Sequence, residues 1–586
     1  MNNKRFLLAA INSKYIHSNL AVRYLKKYSE KSINDIGFME FSINDSIHNI
    51  LKELYLYRAD VICFSCYIWN IELVLKLCGS IKKADPDIVI ILGGPEVSYD
   101  STAIMAANEA VDYIIFGEGE QTFLELALQL EKAAAEPGNI AGIAYRNDGS
   151  IMQNTGRALL HNLDELPFPY DEFSSLQNRI IYYETSRGCP YNCQYCLSST
   201  IEGVRYFSLE RVKAEIEFFV KSGVKQVKLV DRTFNCSKGR SLEIIRHIIS
   251  LGSSTNFHFE IAADILDDEL LAAISEAPEG MFQFEIGVQT TNSQTLQAIK
   301  RPMAIDKVKS NVNALSSFKN AHLHLDLIAG LPFEDYESFK KSFNDIHALK
   351  PDMLQLGFLK LLKGSGLRDA AAAYGIKYHS FPPYEVVSTG WLSYAEILKL
   401  KDVEHLVELY YNSGRFKNTL KFILRELYDD PYNFYEAYSG YWNCNKYYDS
   451  PKSVLDLFYI LKEFISREHS SMPEADALRF NELMKLDWLL AGKGGPLPAN
   501  IARRDHTGIK EKAQELIKDT EFIRGLVPDM EPAAVKAAQK AAYYELFATD
   551  VLNNASLLKD SLVLFVPVTV KGTKEIVTHA IDPDKL

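Results

Sequence analysis

The feature that most restricts this fold is an alternation that repeats six times. IIYYETS, VKQVKLVD, FHFEIAA, FQFEIGV, LHLDLIAG and MLQLGFLKLL are apolar runs between residues 176 and 389, each followed by a helical segment. Strand followed by amphipathic helix implies a parallel sheet, because parallel neighbours need a crossover connection. Eight such units close a full barrel, so six predict a partial (β/α)6 barrel with its chemistry at the carboxyl ends of the strands.

A second alternation precedes it. FLLAAI, VICFSCYI, IVIILGG and VDYIIFGEG read as buried strands, and NLAVRYLKKY, IELVLKLCGSIKKA and TFLELALQLEKAAA as helices. This predicts a Rossmann-like, doubly wound domain over residues 1–135, with its ligand loops at the strands' carboxyl ends. Residues 136–175 read as a linker that holds a small hairpin and an extended stretch fixed by Pro167 and Pro169. Residues 390–586 read as a mainly helical domain, with PAAVKAAQKAAYYELFA as one helix and SLVLFVPVTV and EIVTHAI as a terminal pair of strands. The fold class is α/β with a helical carboxyl-terminal part, and 586 residues exceed what one core can organise.

Charge and cysteine usage narrow the setting. A net charge of -12 with no long basic run disfavours a protein that grips nucleic acid through phosphates. The apolar start, Phe6 to Ile11, is too short for a secretion signal, and no apolar stretch reaches the length of a membrane span. A cytoplasmic protein with no membrane partner is expected, whose eight cysteines are ligands or core fillers.

SRGCPYNCQYC, just after the first barrel strand, carries Cys189, Cys193 and Cys196 at gaps of three and two residues. A structural zinc site wants four ligands and a disulfide framework an even number, so three thiolates leave a metal with one open position. A zinc loop completed by a distant histidine and an iron-sulfur cluster are the two readings of the spacing. Gly188 and Pro190 shape the turn. In this context the motif resembles that of the radical S-adenosylmethionine (radical SAM) superfamily. The resemblance implies a [4Fe-4S] cluster on Cys189, Cys193 and Cys196, an open iron that binds SAM, and Tyr195 beside the adenine. Further positions resemble the coproporphyrinogen-oxidase-like branch, which implies SAM contacts from Glu260, Gln289, Arg301 and Asp326. Each could instead order a βα loop. Cys236 is read as a free loop thiol and not as a fourth ligand.

The first 130 residues resemble the cobalamin-binding module of methyltransferases and mutases, through CFSCYIWN, ILGGPEVS and IIFGEGEQTF. The resemblance implies cobalamin contacts from Ser65, Tyr67, Trp69, Gly93, Gly94, Gly117, Glu118 and Gly119, with the glycines letting the backbone approach the ligand and Tyr67 or Trp69 on the lower corrin face. The module's Asp-x-His-x-x-Gly is incomplete here, so His17 is read as a loop or helix-start residue and not as a cobalt ligand. Cys63, Cys66 and Cys78 read as core, because residues three apart on a strand point to opposite faces.

Together these resemblances imply a cobalamin-dependent radical SAM enzyme, a C-methyltransferase acting on an unactivated carbon of a small-molecule or peptide substrate and served by an electron donor such as flavodoxin or ferredoxin. The alternatives are a methylthiotransferase acting on RNA through a second cluster, a radical cyclase or rearrangement enzyme, and a cofactor sensor. Tyr435, Tyr438, Tyr441 and Trp442 read as an aromatic helical core rather than a pocket.

Overall fold

In the strand Phe6–Asn12 (β1), Phe6, Leu8 and Ala10 enter one core while Leu7, Ala9 and Ile11 enter another. A strand apolar on both sides has to lie in the middle of a sheet covered twice. Around it run Ile36–Ser42 (β2), Val61–Ser65 (β3), Val89–Gly93 (β4), Tyr113–Ile115 (β5), Ile143–Asn147 (β6) and Ser150–Gln153 (β7), in the order β2-β1-β3-β4-β5-β6-β7. The first five strands are parallel, a doubly wound arrangement. The computed structural model describes residues 4–583 except 133–135, 172–175, 177–178, 493–496, 502, 505–507, 529, 554, 556 and 571–572.

Two details differ from the sequence reading. Strand β2 and the helix Ile47–Tyr57 were not anticipated, because IGFMEFS is a half-buried edge without a clean apolar run. The hairpin at 143–153 is not part of a linker: β6 pairs antiparallel with β5, and Ile143 and Ala144 extend the two cores.

The second sheet starts with Ile181–Tyr183 (β8). A short antiparallel pair, Ser186–Gly188 (β9) and Val204–Tyr206 (β10), follows. Gln226–Leu229 (β11), Asn256–Ile261 (β12), Phe282–Gln289 (β13), Ala321–Ala329 (β14) and Met353–Phe358 (β15) complete six strands in the order β15-β14-β13-β12-β11-β8. Sequential strands are spatial neighbours, as six successive βα units require. Phe257, Phe259, Phe282, Phe284, Leu323 and Leu325 are buried on one face. The alternating residues Lys228, His258, Glu260, Glu285, His324 and Asp326 form a polar concave face, where Lys228 and Glu285 approach to 2.8 Å.

The chain divides into two units, Met1–Asp345 with Leu356–Ile397, and Ile346–Gln355 with Leu398–Leu586. The second unit is mainly helical. Tyr435, Tyr438 and Trp442 are fully buried with Tyr410 and Tyr432 in an aromatic core, as the sequence indicated, whereas Tyr441 is only half-buried at its edge. One correction concerns its end: the helix Pro532–Ala541 stops, and Tyr543–Phe547 becomes a strand of a three-stranded antiparallel sheet with Ser561–Val570 and Thr573–Ile581.

Candidate active site

The cysteine loop hangs between β9 and β10. Gly188 has φ +101°, and a side chain there would strike the carbonyl of Gly203 across the hairpin, so only glycine fits. The root of the loop is fastened by Asp231, which follows β11. Thr185 donates to its buried carboxylate through N–H at 3.1 Å and Oγ1 at 2.8 Å, and Ser186 Oγ donates as well. Burial raises the Asp231 carboxyl above its usual range, and these donors oppose the shift. Asp231 was not singled out from the sequence.

Each of the three cysteines of the motif has its own neighbour. Cys189 Sγ lies 3.6 Å from Thr233 Oγ1, buried Cys193 accepts from Arg301 Nη1 at 3.5 Å, and Cys196 Sγ accepts from the Ser198 N–H at 3.4 Å. Burial pushes the Cys193 thiol up while Arg301 pulls it down. Among the described residues no three His, Cys, Asp or Glu side chains converge tightly enough to share one ion. In a cluster each cysteine ligates a different iron, so the three thiols need not meet at one point.

Arg301 links one expected SAM contact, Tyr195, to the β13 bulge. It donates to Tyr195 Oη at 3.3 Å and to the Gly287 carbonyl. A bulge in β13 at Gly287/Gln289, with Gln289 at φ +71°, folds the Gln289 amide over Gly287 and leaves its buried Oε1 without a partner among the described residues. Glu260 and Asp326 stand on the concave face instead. Burial, reinforced by Glu285, raises the Glu260 carboxyl to about 7 against the opposing charge of Arg232. Asp326 lies 3.0 Å from His324 Nε2. Lys228, His258, Glu285 and His324 were missed, although polar residues alternating with Phe and Leu in HFE, QFE and HLHLDL were a legible signal.

In the first domain, all eight residues expected around cobalamin line one cavity of about 550 Å³ at the carboxyl ends of its strands. Tyr67 and Trp69 stack with ring centroids 4.4 Å apart and planes within 5°. Their loop is held by Asn70, whose Nδ2 donates to the carbonyls of Ser65 and Ile11, and by the Trp69 indole, which also donates to Ile11. Gly93 and Gly119 make ordinary contacts. Gly94 lines the cavity and also serves packing: a Cβ there would lie 2.6 Å from the Cys66 carbonyl, so the glycine lets two loops pack. Gly117, at φ +80° with nothing within 4 Å, keeps the open face.

The opposite wall of the cavity comes from the barrel, through Tyr182, Ser186, Arg187, Gly188 and Arg232. His17 belongs here as well. Its Nδ1 is 2.7 Å from Tyr182 Oη, and burial holds its pKa below the usual imidazole range. Arg187, two residues before Cys189, meets Glu118, Glu120 and Glu184 at 3.4, 2.6 and 2.8 Å. Arg205 holds Glu118 again at 2.7 Å. Burial acts to raise Glu118, but Arg205 and Arg187 outweigh it and keep the group below its usual range. Its carboxylate therefore ties the two domains together.

Three family models match successive parts of the chain. Residues 7–127 match the B12 binding domain, 183–346 the radical SAM superfamily, and 372–565 a protein of unknown function, DUF4080. The chain is a radical SAM enzyme with a B12-binding domain. It is 25% identical over 557 residues to 2-(S-pantetheinyl)-carbapenam-3-carboxylate methyltransferase of Streptantibioticus cattleyicolor, covering 82% of this chain and 79% of that protein. Among solved structures, the cobalamin-dependent SAM radical enzyme OxsB superposes with TM-score 0.56 at 16% identity, over 88% of this chain and 84% of that one. The radical SAM methyltransferase TsrM of Kitasatospora setae, solved with cobalamin and a [4Fe-4S] cluster, gives 0.54 at 14% identity, over 65% and 78%. These likenesses establish the fold. The cofactors of the two domains are cobalamin, a [4Fe-4S] cluster and SAM, and the residues present fit them: three thiols on one loop, one of them beside a guanidinium, a buried amide oxygen unpartnered among the described residues, and a cavity open above Gly117. Among the described residues no helix is long and apolar enough to cross a membrane.

Proposed function

We propose that the protein is a cobalamin-dependent radical SAM methyltransferase acting on an unactivated carbon of a small-molecule or peptide substrate. The observation that carries this reading is the single cavity whose one wall is the Ser65–Trp69, Gly93–Gly94 and Gly117–Gly119 loops and whose other wall leads through Arg187 and Gly188 into the cysteine loop. Cys189, Cys193 and Cys196 would hold the cluster, and Tyr195, Gln289, Arg301, Glu260 and Asp326 would surround SAM. When bound, the cofactors supply a 5′-deoxyadenosyl radical and a transferable methyl group.

The chain's own residues do the positioning. Arg301 places a positive charge beside Cys193 and orients Tyr195. The stacked Tyr67 and Trp69 present a flat apolar wall, and the Arg187 carboxylate cluster holds that wall opposite the barrel rim. Reduction calls for an electron donor such as flavodoxin or ferredoxin, which fits a cytoplasmic setting. The methylthiotransferase alternative is disfavoured because Cys63 is buried in one core and Cys66 and Cys78 in the other, which leaves no amino-terminal thiol set for a second cluster.

Anaerobic reconstitution tests the reading. Binding of hydroxocobalamin, about four irons per chain, and a SAM-dependent product heavier by one methylene are expected. Absence of bound cobalamin would overturn it, and about eight irons would favour the methylthiotransferase.

A further inference from the structure

The charges around the cavity are nearly all engaged by one another. Glu118, Glu120 and Glu184 converge on Arg187, and Arg205 takes Glu118 again. On the concave face Lys228 and His258 share Glu285, and His324 meets Asp326. Arg232 stands apart. It lines the cavity, it is exposed, and among the described residues its guanidinium makes no ion pair or hydrogen bond.

Its position is set by its neighbours. Asp231 is buried under donors from Thr185 and Ser186, and Thr233 lies against Cys189. The residue between them is thereby anchored at the carboxyl end of β11. From there its charge acts on Tyr67 of the first domain and on Glu260 of the barrel rim, so the guanidinium lies between the two walls. An unengaged guanidinium offers a planar fork of donors that fits carboxylate or phosphate oxygens in pairs.

We infer that Arg232 anchors an anionic group of the substrate, a carboxylate or a phosphate, between the Tyr67 and Trp69 loop and the Glu260 rim. Assigning that anion to a substrate rests on the function proposed above. The carboxylate of SAM and the phosphate of cobalamin share the same chemistry. Arg301, already beside Cys193, is the better placed partner for a ligand of the cluster.

The test is calorimetric titration of the reconstituted holoenzyme with malonate and with inorganic pyrophosphate, at saturating SAM, for the wild type, Arg232→Gln and Arg232→Lys. At least one probe is expected to bind the wild type and to lose about tenfold or more in affinity with Arg232→Gln. Arg232→Lys should fall between, since an ammonium keeps the charge but loses the fork. SAM and hydroxocobalamin affinities should be unchanged in both variants. The inference is overturned if neither probe binds the wild type, if Arg232→Gln weakens SAM, or if it weakens hydroxocobalamin. A wild type that binds a probe but no hydroxocobalamin would leave the anion site standing and remove the methyl-transfer reading.

Discussion

The two sheets are built from the same strand-helix repeat, yet they present ligands with opposite means. Strands β1 and β3 are apolar on both faces, so the first domain can work only at its rim, with backbone, glycine and the stacked Tyr67 and Trp69. The barrel sheet buries Phe and Leu on its helix side and carries Lys228, Glu260, Glu285, His324 and Asp326 on the other. A flat sheet covered twice leaves no face for function, whereas a curved one has a concave wall. The first domain offers shape and the second offers charge.

The largest effect should separate them. Cys193→Ala is expected to abolish cluster assembly and reduce SAM cleavage to background, while hydroxocobalamin binding persists. Iron analysis and visible spectra check both halves, and joint loss of the two cofactors would show that the sheets do not act independently.

A pH experiment sharpens the contrast within the charged wall. The Glu260 carboxyl sits at about 7 in the folded protein, so its contribution is fully present below the usual carboxylate range and is lost as pH rises through 7. Ionised at pH 8 it costs about 3 kcal/mol. Glu260→Gln should therefore raise the thermal midpoint at pH 8 and leave it unchanged near pH 4.5. Glu285 runs the other way. Burial acts to raise it, but His258 and Lys228 hold it at about 2, so its contribution is present above the usual range and fades as pH falls toward 2. Glu285→Gln should lower the midpoint at pH 7, and parallel pH profiles for the two variants would contradict this assignment.

The smallest effects lie on the uncharged rim. Gly94→Ala meets the Cys66 carbonyl and should destabilise by about 2 kcal/mol. Gly117→Ala meets nothing and should cost only about 1 kcal/mol for its positive φ. Denaturant midpoints compare the two, and equal losses would mean that Gly117 also serves packing.

Much of this was legible because it is local. The βα repeats show as apolar runs, and the expected cobalamin residues sit in loops directly after such runs. What escaped was decided across the chain. Tyr543–Phe547 continues a helix-forming stretch, and only pairing with Ser561–Val570 makes it a strand. That Gly94 also has to admit the Cys66 carbonyl is visible only in the fold. Arg187 sits in the short strand β9 and Asp231 and Arg232 just after β11, and nothing in their immediate sequence tells their roles apart.

The sequence by itself determined that three thiols stand together on one short loop, with no distant residue needed to assemble them; their spacing left a cluster and a zinc loop open, and the family resemblance implied the cluster. Only the tertiary structure decided which charges are free. Arg187 meets Glu120 from 67 positions away, while among the described residues Arg232 forms no ion pair with a carboxylate. Pairing of charges depends on distance in space, and distance along the chain does not report it.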